Sequence, residues 1–407
     1  MRNKLQQTNQ VYVVCTYILS LSSVALSAML SLNKHSYSIF TSILLFLPCL
    51  CAVYYTLSIK KEEHGNNLLL LLLLFGFSMG SIIITGRTRL YTYVIKLLTF
   101  MTMPICLAVY REMRCPKMLR NWIYFLYIGL SGVYMYAANL STAYDMVDYY
   151  GYEYISKELV MGFANPNAAG MTLMICAGVI FSAMLSVKNR LFKVLLLADF
   201  CQLCWLIWLT KSRACILAFS IVLILYIIGR NKRKISRRTI MFFMLVPFIY
   251  WFLTFSGLSI FESAQFMGED LGTGRNAIYM DYMGQRELSG FLIGNFMSFR
   301  FKNMHNGYIT VLATIGIAGF IPFFLFLRSS FNAFADRYDL TKSQFFAAYL
   351  ILGVMAHQAV ESALLSSGLV YGSGFALLYL LSLPDKENPD PEDNPELVAV
   401  SQRKDTF

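Results

Sequence analysis

Charged side chains are scarce in this sequence. Only 14% of its 407 residues are Asp, Glu, Lys or Arg, against about 25% in a soluble domain, while 57% are hydrophobic. Long apolar runs recur throughout residues 1–383, which excludes a soluble protein and predicts a single all-α, polytopic transmembrane domain. We expect no cleavable signal peptide, because the polar, basic start MRNKLQQTNQ leads into an apolar run long enough to span.

The motifs of several enzyme classes are also missing. The chain has no Walker loop for ATP and no His-Glu-x-x-His for zinc, and neither long loop (141–166 or 258–305) has an Asp-x-Asp for a metal-bound nucleotide sugar. The adjacent carboxylates Glu269 and Asp270 are a weak signal for a cation. The pair Cys201 and Cys204 lies in an apolar run without a second pair, which favours core packing. We therefore predict metal-independent chemistry without a cofactor.

The apolar runs predict about twelve transmembrane helices with a large extracytoplasmic loop. Their approximate bounds are 11–32, 36–59, 67–85, 90–110, 120–140, 167–186, 191–209, 214–230, 239–257, 306–327, 343–361 and 366–382.

Basic residues fix the expected orientation. With the N-terminus inside, about 23 of the 34 basic residues face the cytoplasm and about 10 face outward, as the positive-inside rule requires. Both termini are then cytoplasmic, and the acidic, proline-rich residues 384–407 form a disordered cytoplasmic tail. The loops 141–166 and 258–305 face outward, and long loops between membrane helices are often functional.

A small set of basic residues is expected to face outward, against the positive-inside rule. They are Arg87, Arg89, Lys211, Arg213, Arg275, Arg286 and Arg300. A guanidinium is a planar fork of donors that suits phosphate oxygens, so several together could bind a pyrophosphate whose lipid tail lies in the bilayer. The alternative is that they contact lipid headgroups or pair with loop carboxylates.

The stretch 299–319, FRFKNMHNGYITVLATIGIAG, passes from basic loop to apolar helix. On a continuous helix His305 and Gly316 would lie about 20° from the same azimuth, and Gly319 would share that face. We therefore expect an imidazole above a glycine strip on which another helix packs closely. Histidine is suited to act as a base near neutral pH. The alternative is a surface histidine at a helix end.

Three further groups are candidates. His357 and Glu361, one helical turn apart, could line an acceptor path or hold two helices together. The intramembrane charges Lys96 and Asp199 could pair structurally. Asn165-Pro166-Asn167 suits a helix start, with a lining role as the alternative.

His305-Asn306, followed by Gly316 and Gly319, resembles the signature of the O-antigen ligase and polysaccharide repeat-unit polymerase family of bacterial membrane glycosyltransferases. Lys211-Ser212-Arg213 and Gly274-Arg275 resemble two further elements of that family. A tryptophan usually follows the second element, where this chain has Tyr279 and Tyr282. The resemblance covers roughly residues 160–365 and implies a GT-C-like fold.

The resemblance implies an inverting, metal-independent glycosyltransferase with a polyprenyl-pyrophosphate-linked donor in a bacterial cytoplasmic membrane. We expect a polymerase of repeat units for capsule, exopolysaccharide or O-antigen; the alternatives are a ligase acting on a lipid or protein acceptor and a flippase. The partners would be the lipid-linked donor and acceptor, membrane lipids, a flippase and a chain-length regulator, with no nucleic acid.

The site residues fall into two expected groups. His305 would be the general base, and Arg213 and Arg275 would stabilise charge on the leaving pyrophosphate. The substrate-binding residues would be Lys211, Arg286, Arg300, Asn306, Arg87, Arg89 and Glu361.

Overall fold

A computed structural model describes most of the transmembrane domain. The described residues are 2–32, 65–85, 90–112, 116–140, 145–149, 152–156, 159–163, 165–231, 233–256, 265–266, 269–270, 278–280, 284, 288–295, 304–335, 340–362 and 371–383. These residues are helical apart from connections and two short antiparallel hairpins. The helices are α1 (Arg2–Ser31), α2 (Gly65–Thr85), α3 (Leu90–Glu112), α4 (Lys117–Leu140), α5 (Pro166–Ser186), α6 (Arg190–Leu209), α7 (Arg213–Gly229), α8 (Arg237–Phe255), α9 (Leu288–Ile293), α10 (Gly307–Phe331), α11 (Lys342–His357) and α12 (Ser373–Ser382).

Each of the two long predicted loops contains a hairpin. Strand β1 (Asp145–Tyr149) pairs with β2 (Tyr152–Ser156), and β3 (Gln265–Phe266) pairs with β4 (Glu269–Asp270).

The helices give the chain the architecture of an all-α membrane protein. Eleven of the predicted spans overlap a described helix, whereas the span 36–59 and the tail 384–407 lie outside the described residues. Among the described residues, six helices are long and apolar enough to cross a bilayer. These are Val13–Ser31 within α1, α4, α5, α6, α8 and Gly307–Phe334, which includes α10.

Helix α11 lies at the centre of the bundle. All of its residues except Lys342 and Ala356 are buried, and it packs against α5, α7, α8 and α12. Close approach depends on glycine: a Cβ at Gly178 of α5 would overlap Leu350, and one at Gly353 would overlap Val222 of α7. Small residues at such contacts are typical of packed membrane helices.

Helix α10 is broken at Gly316, whose φ of 65° and ψ of −176° are not helical. The break exposes two carbonyl oxygens that would otherwise accept bonds within the helix. The Ala313 carbonyl accepts a hydrogen bond from the Asn295 backbone N–H (2.9 Å), and the Thr314 carbonyl accepts one from Ser81 Oγ of α2 (2.9 Å). Non-helical backbone within a membrane helix is tolerated where it is buried against protein in this way.

The predicted glycine strip is therefore wrong in its geometry. His305 precedes α10, and the break at Gly316 ends the continuous helix on which the shared azimuth was calculated. Close packing at Gly316 does occur, and its partner is the end of the short helix α9, because a Cβ there would overlap the Leu292 carbonyl. At Gly319 the three atoms nearest to an added Cβ belong to Ile315 of the same helix.

Candidate functional site

Four helix ends meet at one end of the bundle. Helices α5, α7 and α10 begin there and α11 ends there, and direct contacts link them in a chain. We call this region the four-helix junction and define it by residues 165–171, 211–215, 304–310 and 355–362. Four groups that the sequence singled out separately are brought together in it: Asn165-Pro166-Asn167, Lys211-Ser212-Arg213, His305-Asn306, and His357 with Glu361.

The Asn306 side chain forms hydrogen bonds that connect the start of α10 with α8 and with the turn after α11. Its Oδ1 caps α10 by accepting hydrogen bonds from the backbone N–H groups of Tyr308 (3.0 Å) and Ile309 (3.1 Å). Its Nδ2 donates to the carbonyl of Pro247 within α8 (2.9 Å) and to that of Ala359 after α11 (3.1 Å). The side chain is fully buried, and two acceptor and two donor positions are used inside the protein. The structure thus places the predicted substrate-binding Asn306 as a structural tie next to His305.

His305 lies between the long loop and α10. Its backbone has a φ of 46°, in the left-handed region that is uncommon for a residue other than glycine. The residue is 8% exposed. Its neighbour Met304 is buried in a small apolar cluster with Ile309 and Ala313, against which Trp251 packs. His305 therefore lies between two buried neighbours, Met304 and Asn306.

The connection between α6 and α7 supplies the cationic residues. Ser212 Oγ donates a hydrogen bond to Asn167 Oδ1 (2.8 Å), which fixes the start of α7 against the start of α5. The two helices touch closely, since a Cβ at Gly170 would lie 2.9 Å from Ser212 Cβ. On either side of this buried serine, Lys211 is exposed with a φ of 51°, and Arg213 is half-buried in the first turn of α7.

Asn165 has the predicted capping role. Its Oδ1 accepts a hydrogen bond from the Ala168 backbone N–H at 2.7 Å, and Pro166 occupies the first helical position of α5. Asn167, by contrast, uses its side chain to hold Ser212. The first asparagine of the motif thus begins a helix, and the second joins two helices.

Cys215 connects α7 to the end of α11. Its Sγ lies 3.1 Å from His357 Nε2 and 3.9 Å from the Asn167 carbonyl oxygen. The carboxylate of Glu361 is near enough to act electrostatically on the thiol. Helix α11 ends at His357, so the prediction that Glu361 lies one helical turn away on the same face is wrong. The two residues converge on Cys215 through the turn that follows the helix.

Gln358 is the junction residue that sequence reasoning missed. Its carbonyl accepts a hydrogen bond from the Gly307 backbone N–H (2.7 Å), which joins the end of α11 to the start of α10. Its fully buried side chain donates to Met171 Sδ of α5 (3.4 Å). The Oε1 atom is buried and has no hydrogen-bond partner among the described residues. One feature of the sequence could have identified it. The apolar segment 343–361 ends in several polar residues, namely His357, Gln358, Glu361 and Ser362.

The remaining predicted site residues are only partly placed by the structure. Arg87, Arg89, Arg275, Arg286 and Arg300 lie outside the described residues. The predicted pairing of Lys96 with Asp199 also falls outside, because the Lys96 side chain is not described; Asp199 Oδ2 accepts a hydrogen bond from Ser131 Oγ of α4 (3.0 Å). Within the described ranges, no group of three His, Cys, Asp or Glu side chains could hold a metal ion.

The comparisons with known proteins returned no match: no family model, no curated protein and no solved structure matches this chain.

Proposed function

We propose that this chain is a polymerase that joins polyprenyl-pyrophosphate-linked oligosaccharide repeat units on the outer face of a bacterial cytoplasmic membrane. The observation that carries the proposal is the four-helix junction. Motifs at 165–167, 211–213, 305–306 and 357–361, which are far apart in sequence, lie in one contact network at one end of a membrane bundle. Two of these motifs, 211–213 and 305–306, are also among those on which the family resemblance depends.

The reaction we propose is a direct displacement. A hydroxyl of the acceptor sugar attacks the anomeric carbon of the donor sugar, and the bond from that carbon to the pyrophosphate oxygen breaks. The hydroxyl proton passes to His305, and the polyprenyl pyrophosphate leaves as an anion that needs no proton. Attack opposite to the leaving group inverts the anomeric configuration.

The contact network supports roles for His305 and Arg213 in one site. Arg213 lies two residues from Cys215, which contacts His357, and the adjacent Gln358 binds the backbone of Gly307, two residues after His305. The imidazole serves as base. The guanidinium stabilises the charge that builds on the pyrophosphate, and Arg275 of the long loop joins it in this role.

The other predicted binding residues extend the same site. Lys211 is exposed beside Arg213 and presents an ammonium group to phosphate oxygens. Glu361 accepts a hydrogen bond from the Ser362 backbone N–H (2.9 Å) and is suited to bind acceptor hydroxyls. Arg87, Arg89, Arg286 and Arg300 hold the donor pyrophosphate, and both termini lie in the cytoplasm.

The test is a reaction of purified protein with a short lipid-linked repeat unit, with EDTA and without added metal, read by gel mobility and mass. We expect His305→Ala to lower the rate about 10²–10⁴-fold. Because φ is 46° at this position, His305→Asn is the better-matched variant, since asparagine tolerates the left-handed region while lacking a comparable base. Arg190→Ala, exposed at the start of α6, is the control and should keep the wild-type rate.

The products decide between the activities. A ladder of longer glycans from wild type, lost in both His305 variants, supports the polymerase. A product formed only when a second acceptor is supplied indicates a ligase. A third outcome would contradict the proposal and indicate a transporter. In it, wild type forms no glycan product, and substrate binding and translocation survive in both His305 variants.

A further inference from the structure

The connection between α7 and α8 carries an unusual density of positive charge. We call residues 230–238 the basic segment. Six of its nine residues are basic, namely Arg230, Lys232, Arg233, Lys234, Arg237 and Arg238. The sequence has no Asp or Glu between Asp199 and Glu262, so neighbours along the chain do not neutralise this charge.

The basic segment is folded against the bundle. Ile235 is fully buried and anchors its centre, and Ser236 caps α8 by accepting a hydrogen bond from the Thr239 backbone N–H (3.1 Å). The Arg233 N–H donates to the Gly229 carbonyl at the end of α7 (3.0 Å). The described cations of the segment are therefore held on a connection that packs against the bundle.

Two of these cations lie at the end of α7. Arg230 and Arg233 are both near the buried side chain of Tyr226 on the last turn of this helix. Arg230, Arg237 and Arg238 are exposed, so they are accessible to a ligand. We call these exposed cations, at the end of α7 and the start of α8, the cationic surface.

Exposed apolar side chains directly border this surface. Ile227 and Ile228 on the last turn of α7 are 58% and 73% exposed, and Phe242 on the second turn of α8 is 59% exposed. In a membrane bundle such side chains face acyl chains. The cations one turn away then lie at the level of the lipid headgroups.

We propose that the basic segment is a binding site for anionic phospholipid, with Arg230 and Arg238 contacting the headgroup phosphate and Ile228 and Phe242 contacting the acyl chains. Ordered basic residues next to a membrane helix attract anionic lipid, and each contributes a favourable electrostatic interaction. Guanidinium groups suit phosphate oxygens in particular. The site lies at the opposite end of α7 from Arg213, and the inference is independent of the proposed function.

The experiment compares spin-labelled phosphatidylglycerol with spin-labelled phosphatidylcholine around the purified protein in phosphatidylcholine bilayers. The ratio of the two motionally restricted fractions gives the preference for anionic lipid. We expect a preference for phosphatidylglycerol in wild type. The double variant Arg230→Gln/Arg238→Gln should reduce it, by up to about fivefold for each removed charge.

The control variant is Arg190→Gln/Lys193→Gln, which removes two exposed charges from the start of α6, at the same end of the bundle. It should keep the wild-type preference. An equal loss in both double variants would indicate general surface charge and overturn the site, as would wild-type behaviour of Arg230→Gln/Arg238→Gln. A further experiment adds inorganic phosphate and compares it with chloride at the same ionic strength. If phosphate lowers the preference for phosphatidylglycerol and chloride does not, the site binds free phosphate in place of lipid.

Discussion

The Sγ atom of Cys215 and the Nε2 atom of His357 lie 3.1 Å apart, although 142 positions separate them in sequence. This contact joins the first turn of α7 to the last residue of α11. It places a side chain of α7 against the residue at which the central helix α11 ends.

Substitution of Cys215 should reveal how tightly this contact is packed. The Sγ atom would lie 3.1 Å from a Cβ added at Gly170, so there is little room for a larger side chain. We expect Cys215→Ser to retain most activity and stability, because a hydroxyl can still bond to His357. Cys215→Leu should lower the free energy of unfolding by about 1–3 kcal/mol through overpacking. Thermal unfolding in detergent measures this, and Cys201→Leu, exposed on α6, is the matched control that should change little.

Asn306→Ala should be among the more destabilising single substitutions at the junction. It removes the α10 cap, which typically contributes about 0.5–2 kcal/mol, and leaves the buried carbonyls of Pro247 and Ala359 without these donors. The control is Asn189→Ala, because Asn189 also caps a helix but is exposed and bonds only within its own turn. Equal shifts in melting temperature for the two variants would contradict the role of Asn306 as a tie.

The contact between Gly294 and Gly316 predicts strong intolerance to a methyl group. Both residues have positive φ, 83° and 65°, and an added Cβ on either would overlap the backbone of the other segment. We expect Gly316→Ala and Gly294→Ala each to lower the melting temperature markedly, since neither the space nor the conformation suits alanine. Gly76→Ala on α2 meets nothing within 4 Å and should be neutral or slightly stabilising. Unchanged melting of the Gly316 variant would disprove the close backbone contact.

Arg213 and Lys211 should differ in their effect on catalysis. Removing a transition-state charge stabiliser typically lowers kcat by about 10²–10³, so we expect that loss for Arg213→Gln. Lys211→Gln removes an exposed point charge and should act mainly on KM. Arg213→Lys should recover only part of the rate, because an ammonium lacks the planar fork. The measurement is steady-state kinetics with the lipid-linked repeat unit, and a loss confined to KM for Arg213→Gln would contradict its catalytic role.

Much of the fold could be predicted from the sequence, because hydrophobic length and periodicity determine where membrane helices form. The bounds of α5 and α6 were predicted to within about one residue. The break at Gly316 was not predicted, since glycine is common inside membrane helices and only the approach of Leu292 and Gly294 makes this one non-helical.

The sequence predicted which residue types form the candidate site, but it did not predict how they are arranged. His305 and Arg213 carry side chains whose chemistry can be read from the sequence alone. The roles of Asn306 and Gln358 depend on carbonyl and thioether groups contributed by α5, α8 and the turn after α11. Such partners come from distant parts of the chain, and local patterns do not identify them.

The bonds of Asn306 also set an order of assembly. Its partner on α8, the Pro247 carbonyl, precedes it in the chain, whereas its partner at Ala359 is synthesised more than fifty residues later. A nascent chain that has inserted α10 therefore carries His305 just before a helix that is capped but not yet tied to α11. The junction closes only when the end of α11 reaches the membrane, so it is completed late in synthesis.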